Sequence, residues 1–501
     1  MKWGFCGFFF YKWRGYLPIF KYCKYFLFIL TLQRKNDTIV FFANTIIMMN
    51  RLLAILAAGM MMMPGTANAE ETPETNDVNG TAQTDRDHSD YTFRVGGYGE
   101  ILGNYKDYGL NRWNGTLDGI PKKNRGTVSI PRFVIALDYK FSEKWILGAE
   151  IEFESGGTGT TYELEEQSGS ENTEYETEIE KGGEVALEQF HITRLIVPEF
   201  NLRAGHMIVP VGLTNTHHEP INFFGSSRPE GESTMMPCTW HETGIEAFGS
   251  FGSGYASFDY EAMVVAGANP NGFDKYHWIK GGRQGFFEAD NFTSPAYVLR
   301  LNYTGVPGLR LGGSFYYVAN AARNADKLTT YDQLGKIPVR LWSLDAQYTN
   351  RYVVARANYV GGNVGNADGI QSINRSYSNL SPYSRQGSIA KKALTYSAEA
   401  GVNLKALLGQ DKKFPAIWPF VHYEYYNTQE KAEKPITIMD DRCQVSMWTF
   451  GLNWRPLPTL VVKADYTTRQ IGTGKMFGTG PYNSENEFGV CVAYTGWFFK
   501  K

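Results

Sequence analysis

The chain is written in steps of two. Across residues 132–141, Phe133, Ile135, Leu137, Tyr139 and Phe141 alternate with Arg132, Val134, Ala136, Asp138 and Lys140. After Ser142, Glu143 and Lys144 the alternation restarts, with Trp145, Leu147, Ala149, Ile151 and Phe153 set against Gly148, Glu150, Glu152 and Glu154. Period two with a short polar break predicts a β-hairpin with one apolar and one charged face. Segments near 91–103, 126–141, 145–155, 183–196, 201–209, 242–250, 256–268, 294–304, 308–319, 338–349, 352–363, 390–404, 416–428, 443–455, 459–471 and 485–499 follow the same rule, which predicts about sixteen strands.

The connections sharpen the picture. Tight ones (142–144, 198–201, 305–308, 349–351, 455–458) alternate for most of the chain with long polar ones (104–125, 155–182, 210–241, 269–293, 320–337, 364–389, 429–442, 472–484). A sandwich has no reason to alternate in this way; a membrane barrel has short turns on one side and long loops on the other. The parity persists. Tyr297, Leu299, Leu301 and Tyr303 oppose Arg300 and Asn302, while Trp448, Phe450, Leu452 and Trp454 oppose Thr449, Gly451, Asn453 and Arg455. A ring of sixteen such strands is too wide to fill with side chains, so the apolar face belongs to lipid and the polar face to a lumen. The fold class expected is all-β: a transmembrane antiparallel β-barrel of about 16 strands. Closure is required, because an open edge in lipid strands unpaired backbone groups.

Composition agrees. The 501 residues include 31 Tyr, 32 Phe, 11 Trp and 53 Gly. Residues 48–69 carry one Arg, a short apolar run and the small-x-small ending Ala67-Asn68-Ala69, which predicts a signal peptide cleaved after Ala69 and export to the bacterial outer membrane. Residues 1–47 are expected to be an upstream mis-start segment, 70–90 a flexible polar tail, and 91–501 the barrel. Without residues 1–69 the net charge is about −9, which argues against a nucleic-acid partner. Cys238, Cys443 and Cys491 are too few and too scattered for a disulfide framework or a CxxC metal pattern. One pair could form, and free thiols fit equally well.

The most distinctive segment is residues 201–213, a strand running into Pro210, Val211 and Gly212. Leu202, Arg203, Gly205, Pro210 and Gly212 resemble the corresponding strand of the phosphate-selective porin O and P family. Residues 93–100 are similar to that family's opening strand, and residues 243–249 to the strand after its long loop. The sharp motifs span about forty residues. The resemblance implies a sixteen-stranded outer-membrane porin, usually a homotrimer, with a loop folded into the lumen. Its expected contacts are small polar solutes or ions, outer-membrane lipid and lipopolysaccharide.

Phosphate selectivity does not follow from the residues. Parity turns Arg132, Arg203, Arg300, Arg310, Arg356 and Lys463 inward, but also Asp138, Glu150, Glu152, Asp345, Glu399, Glu424 and Asp465. Rings of one sign set ion preference; here both signs line the wall, as solvated charges of a nonspecific channel would. Loop 210–241 is expected to be a constriction loop, with His217, His218, Arg228 and Glu230 at the eyelet. His217, His218 and Glu219 could suggest a metal, but adjacent histidines diverge and no spaced partner is evident, so neither metal nor cofactor is expected. The twelve Glu between 150 and 184, against Lys181 alone, read as a hydrated external loop rather than a lipopolysaccharide-bridging site. Gly472-Thr-Gly-Lys-Met lacks P-loop spacing and no Gly-x-Ser-x-Gly elbow occurs, so no enzyme is expected. The reading is passive diffusion of small hydrophilic solutes and ions, with anion or phosphate preference as its narrower form. An outer-membrane barrel enzyme of lipase or protease type, or a secreted glycan-binding β protein, stands as the alternative.

Overall fold

The computed structural model describes residues 91–108, 123–155, 160–164, 177–181, 184–284, 289–325, 331–376, 389–408, 415–433, 443–472 and 484–501. Segments 1–47, 48–69 and 70–90, and most of the acidic stretch, lie outside the described residues.

The alternating segments become strands. They are β1 (Phe93–Tyr108), β2 (Lys123–Ser129 continued by Arg132–Ser142), β3 (Trp145–Glu154), β4 (Glu184–Val197), β5 (Phe200–Ile208), β6 (His241–Phe251), β7 (Phe258–Val265) and β8 (Ala296–Val306). The second half holds β9 (Leu309–Val318), β10 (Val339–Thr349), β11 (Val353–Val364), β12 (Lys392–Val402), β13 (Ile417–Lys431), β14 (Gln444–Leu457), β15 (Leu460–Ile471) and β16 (Ser484–Lys500). Each pairs antiparallel with its neighbours in sequence, and β1 pairs with β16, so the sheet closes on itself. Among the described residues the ring has sixteen strands, because both pieces of β2 pair with β1. The break falls at Pro131, which has no N–H to give the ladder. The seam is sealed at the C-terminus, where Lys501 N donates to Phe93 O at 2.9 Å. A separate short hairpin pairs Thr160–Leu164 with Thr177–Lys181.

The outer face is apolar. Ile101, Phe133, Phe141, Leu299, Leu301, Leu344, Phe450, Leu452, Phe488 and Phe498 are all exposed, Leu344 to 64%. A closed ring with this surface is a barrel solvated by hydrocarbon, with no edge strand to hide.

The inside departs from a simple polar lumen. At the long-loop end of β7–β12, Val265, Val298, Tyr316, Val318, Val339, Leu341, Val360 and Val364 turn inward and are buried. They pack against Met235, Met236, Trp240, Trp278, Ile279, Tyr331, Ile337, Ile370 and Ile389 from the connecting loops in one apolar cluster. The loops fold back over this part of the ring, so inward residues there meet other side chains instead of water. At the short-turn end a vestibule of about 1240 Å³ remains, lined in part by Ile146, Asn201 and Phe248.

Candidate functional site: the segment that crosses the lumen

Between β5 and β6 the chain leaves the sheet and crosses the interior. It contains two short helices, α1 (Leu213–Thr216) and α2 (Glu230–Met235), with a 3-10 turn at Pro220–Asn222 between them. Its two ends are tied together. Val209 N donates to Trp240 O at 2.8 Å. The Asn215 amide donates to Val209 O and Val211 O at 2.7 and 3.1 Å, and its oxygen accepts from Trp240 N at 2.6 Å. Gly212 has φ 86°, and a Cβ there would come within 2.4 Å of Glu232 Oε2, so the turn requires glycine. The Glu232 carboxylate accepts from Leu213 N, Thr214 N and Asn215 N at 2.8–3.0 Å and also from Asn358 of β11. Burial outweighs these donors and lifts the carboxyl to about 7.

Toward β11–β15 the segment docks through matched groups. Lys463 of β15 is fully buried; its ammonium donates to the carbonyls of Pro220, Phe223 and Gly225 at 2.5, 2.9 and 2.8 Å. Phe224 stacks on Phe420 at 5.3 Å, in space left by Gly401, where a Cβ would meet the ring at 2.3 Å. Ser226 donates to Asp465 through both its N–H and its hydroxyl, the latter at 3.0 Å. Glu230 and Gly231 donate backbone N–H to Glu424, while Arg469 holds Glu230 at 2.6 Å and Glu485 at 2.5 Å. Arg356 pairs with Glu399.

Toward β1–β4 the balance differs. Arg132 donates to the His218 carbonyl at 2.9 Å and lies 3.3 Å from Glu100. Glu150, Glu152 and Glu188 are all buried beside it. Gln189 donates to Glu150 at 2.6 Å and Tyr98 to Glu188 at 3.1 Å. Burial brings the His218 imidazole down to about 4.

Contacts with strands on opposite sides of a closed ring mean that the segment runs through its middle. Of the eyelet candidates, Glu230 is locked to Arg469, and His217 accepts from Arg310 at 2.6 Å. Burial, followed by Arg310, holds His217 well below its ordinary range. Arg228 turns back to Thr239 at 3.4 Å. Of the inward charges, Arg203 pairs with Glu246 at 3.0 Å, Arg300 with Asp345 at 2.8 Å and Arg94 with Asp138 at 2.6 Å. The expectation of solvated wall charges is corrected here: Arg300 and Lys463 are at 0% exposure, because the segment and the neighbouring strands cover them. Cys238, Cys443 and Cys491 are free thiols.

Glu188, Glu232 and Asn215 were not singled out by sequence, while Arg469 was placed only by parity, on the polar face with Lys463 and Asp465. Glu188 escapes parity because it is a bulge: Gln189 pairs with Glu150 and Leu187 with Ile151, leaving Glu188 as an extra inward residue. For Asn215 the available signal was a lone amide just after a Pro-x-Gly turn.

Beside the segment, a narrow space of about 90 Å³ remains against β12–β16, room for about three waters. Its lining includes Glu230, Glu399, Glu424, Asp465, Glu485 and Glu487, against Lys106, Arg228, Arg469 and His422.

No family model matches the chain. A protein of Aquifex aeolicus (strain VF5), described as uncharacterized, is 26% identical over 387 residues, covering 74% of each chain. Among solved structures, an anion-selective porin from Comamonas acidovorans is similar at TM-score 0.47 and 10% identity, over 82% of this chain and all of that one. OmpF of Salmonella typhi, in complex with daunomycin, matches at TM-score 0.48 and 10% identity, over 81% and 98%. The outer membrane channel DcaP of Acinetobacter baumannii matches at TM-score 0.45 and 11% identity, over 80% and 96%. None of these likenesses is strong enough to bear on function, and the barrel stands on the strand pairings of this chain.

Proposed function

We propose that the chain is an outer-membrane channel passing small hydrophilic solutes and ions by diffusion down their gradients, with no catalysis and no cofactor. The carrying observation is that one segment, docked on inward side chains of many strands, crosses the interior of the closed ring and leaves beside it a charged gap of about 90 Å³, while a space of about 1240 Å³ lies at the short-turn end. Gly212 begins the constriction, and Glu230 and Arg469 edge the gap. Residues before Glu70 direct export, the apolar belt meets outer-membrane lipid, the long loops meet lipopolysaccharide, and three copies assemble as the family resemblance implies.

Anion or phosphate preference is the narrower form of this reading. Against it, Arg203, Arg300 and Arg356 each already face a carboxylate. Six carboxylates line the gap against three Lys or Arg, which favours a modest cation preference. The test is a planar bilayer carrying the chain from Glu70 onward in a KCl gradient. Stable conductance steps with a cation-selective reversal potential are expected. Anion selectivity with block by phosphate would replace the cation reading, and the absence of any conductance would remove the channel.

A further inference from the structure

On the β1–β4 side, three potential metal ligands converge from three separate elements. Glu150 comes from β3, Glu188 from the bulge of β4 and His218 from the lumen segment, and their ligating atoms all lie within 4.8 Å of one another. All three residues are buried, Glu188 and His218 at 0% exposure. His218 Nδ1 lies 3.1 Å from Asn215 O. An N–H at Nδ1 donates to that carbonyl and leaves the lone pair on Nε2, the arrangement that orients histidine ligands in metal sites. Nε2 then faces Glu188 Oε1 at 3.4 Å. Two ligands bound to a tetrahedral zinc at about 2.0–2.2 Å are separated by roughly that distance.

A second observation points the same way. Glu188 Oε1 is buried and accepts no hydrogen bond, and the same holds for Glu152 Oε1 beside it. Buried carboxylates without partners are costly. Arg132 is the strand cation at this place, and it is engaged by Glu100 and the His218 carbonyl. A divalent ion would satisfy both the open oxygen and the excess charge.

We propose that Glu150, Glu188 and His218 form a binding site for a divalent transition-metal ion, with a fourth position open to water, and that the ion clips the lumen segment to β3 and β4. The clip joins residues 30 to 68 positions apart in sequence, so occupancy stabilises the docked segment by mass action. No conductance is needed to detect it.

The test uses the full chain in detergent, stripped with a chelator, incubated with zinc sulfate and desalted. One zinc per chain is expected by mass spectrometry, with affinity reduced at least tenfold in both Glu188→Gln and His218→Gln. Cobalt in place of zinc should give the intense visible bands of a four-coordinate site. Zinc-edge absorption on the unaltered chain should show nitrogen and oxygen ligands without sulfur, and this decides the matter if either variant fails to fold. Failure to retain zinc means that His218 and Glu188 lie side by side with no ion between them, and overturns the site. His206 and His241 lie close by with ring centroids 4.6 Å apart, and zinc retained in both variants but lost in His206→Ala puts the ion on that pair and overturns the proposal equally.

Discussion

The two walls that flank the lumen segment solve the same problem differently. On β11–β15 almost every charge that meets the segment has a counterpart: Lys463 has three carbonyls, Asp465 has Ser226, Glu424 has two backbone N–H groups and Glu399 has Arg356. On β1–β4, Gln189 and Tyr98 each serve one oxygen, of Glu150 and Glu188 respectively, but Glu188 Oε1 and Glu152 Oε1 are buried with no donor, and Arg132 is already engaged by Glu100 and the His218 carbonyl. The matched wall holds the segment in place. The unmatched wall leaves carboxylates waiting for a cation, so it is where binding rather than support is to be sought. Charge alone does not separate the two walls, since both are rich in acids; the inventory of donors does.

Removing the segment gives the largest expected effect. Deleting residues 214–236 takes away the constriction and both sets of contacts, so single-channel conductance should rise several-fold. An unchanged conductance would mean that the segment does not limit passage. Lys463→Met comes next, because it strips a charged donor from three buried carbonyls at a cost of about 1–3 kcal/mol for each one left unsatisfied. The segment should become protease-sensitive while the barrel keeps its heat-modifiable migration on gels; resistance equal to the parent would show that the matched wall is dispensable.

A pH series probes the segment itself. The Glu232 carboxyl rises from its ordinary 4.5 to about 7 on docking, through burial and the nearby Asp345. The docked state therefore binds the proton more tightly. Its advantage is complete below about pH 4.5 and is lost as pH rises through about 7, a swing of roughly 3 kcal/mol. Current noise from segment motion should increase from pH 5 to pH 8 and become flat in Glu232→Gln; a persisting pH dependence in that variant would assign it elsewhere. The smallest effect is expected from Glu152→Gln on the unmatched wall. Neutralising a buried carboxylate with an open oxygen should leave the melting temperature unchanged or raise it by a few degrees. A clear loss of stability would show that this wall is already matched.

The barrel was legible because a strand in lipid has only two environments, and residues such as Phe133 and Arg132 declare them in turn. Sixteen strands, the parity of Trp448 to Trp454 and the alternation of loop lengths all follow from that constraint. The fate of the loops was not legible. Ser226 and Asp465 are 239 positions apart, and no local pattern ties them. Val339 and Leu341 sit on the expected inward face, but nothing along the strand says that Trp278 and Ile337 will fold over them. Glu188 was hidden by a bulge, which shifts parity by one residue without a sequence mark. In the lumen segment, Phe223 and Phe224 were the visible hint: two aromatics in a polar loop need surfaces, and Phe420 with Trp418 provides one for Phe224 while the Lys463 ammonium lies 4.0 Å from the Phe223 ring.

The knot at Asn215 has a consequence for how such a protein can change. Because Val209 and Trp240 bond to each other, everything between them is an excursion that begins and ends at one point of the wall. Its length and content do not enter the register of β5 with β6. Those strands can zip together before the excursion has found its seat, and a different insert tied off by the same amide would leave the ring unaltered. On the proposed reading, the permeability of the barrel is carried by an exchangeable part set into a frame that stays fixed.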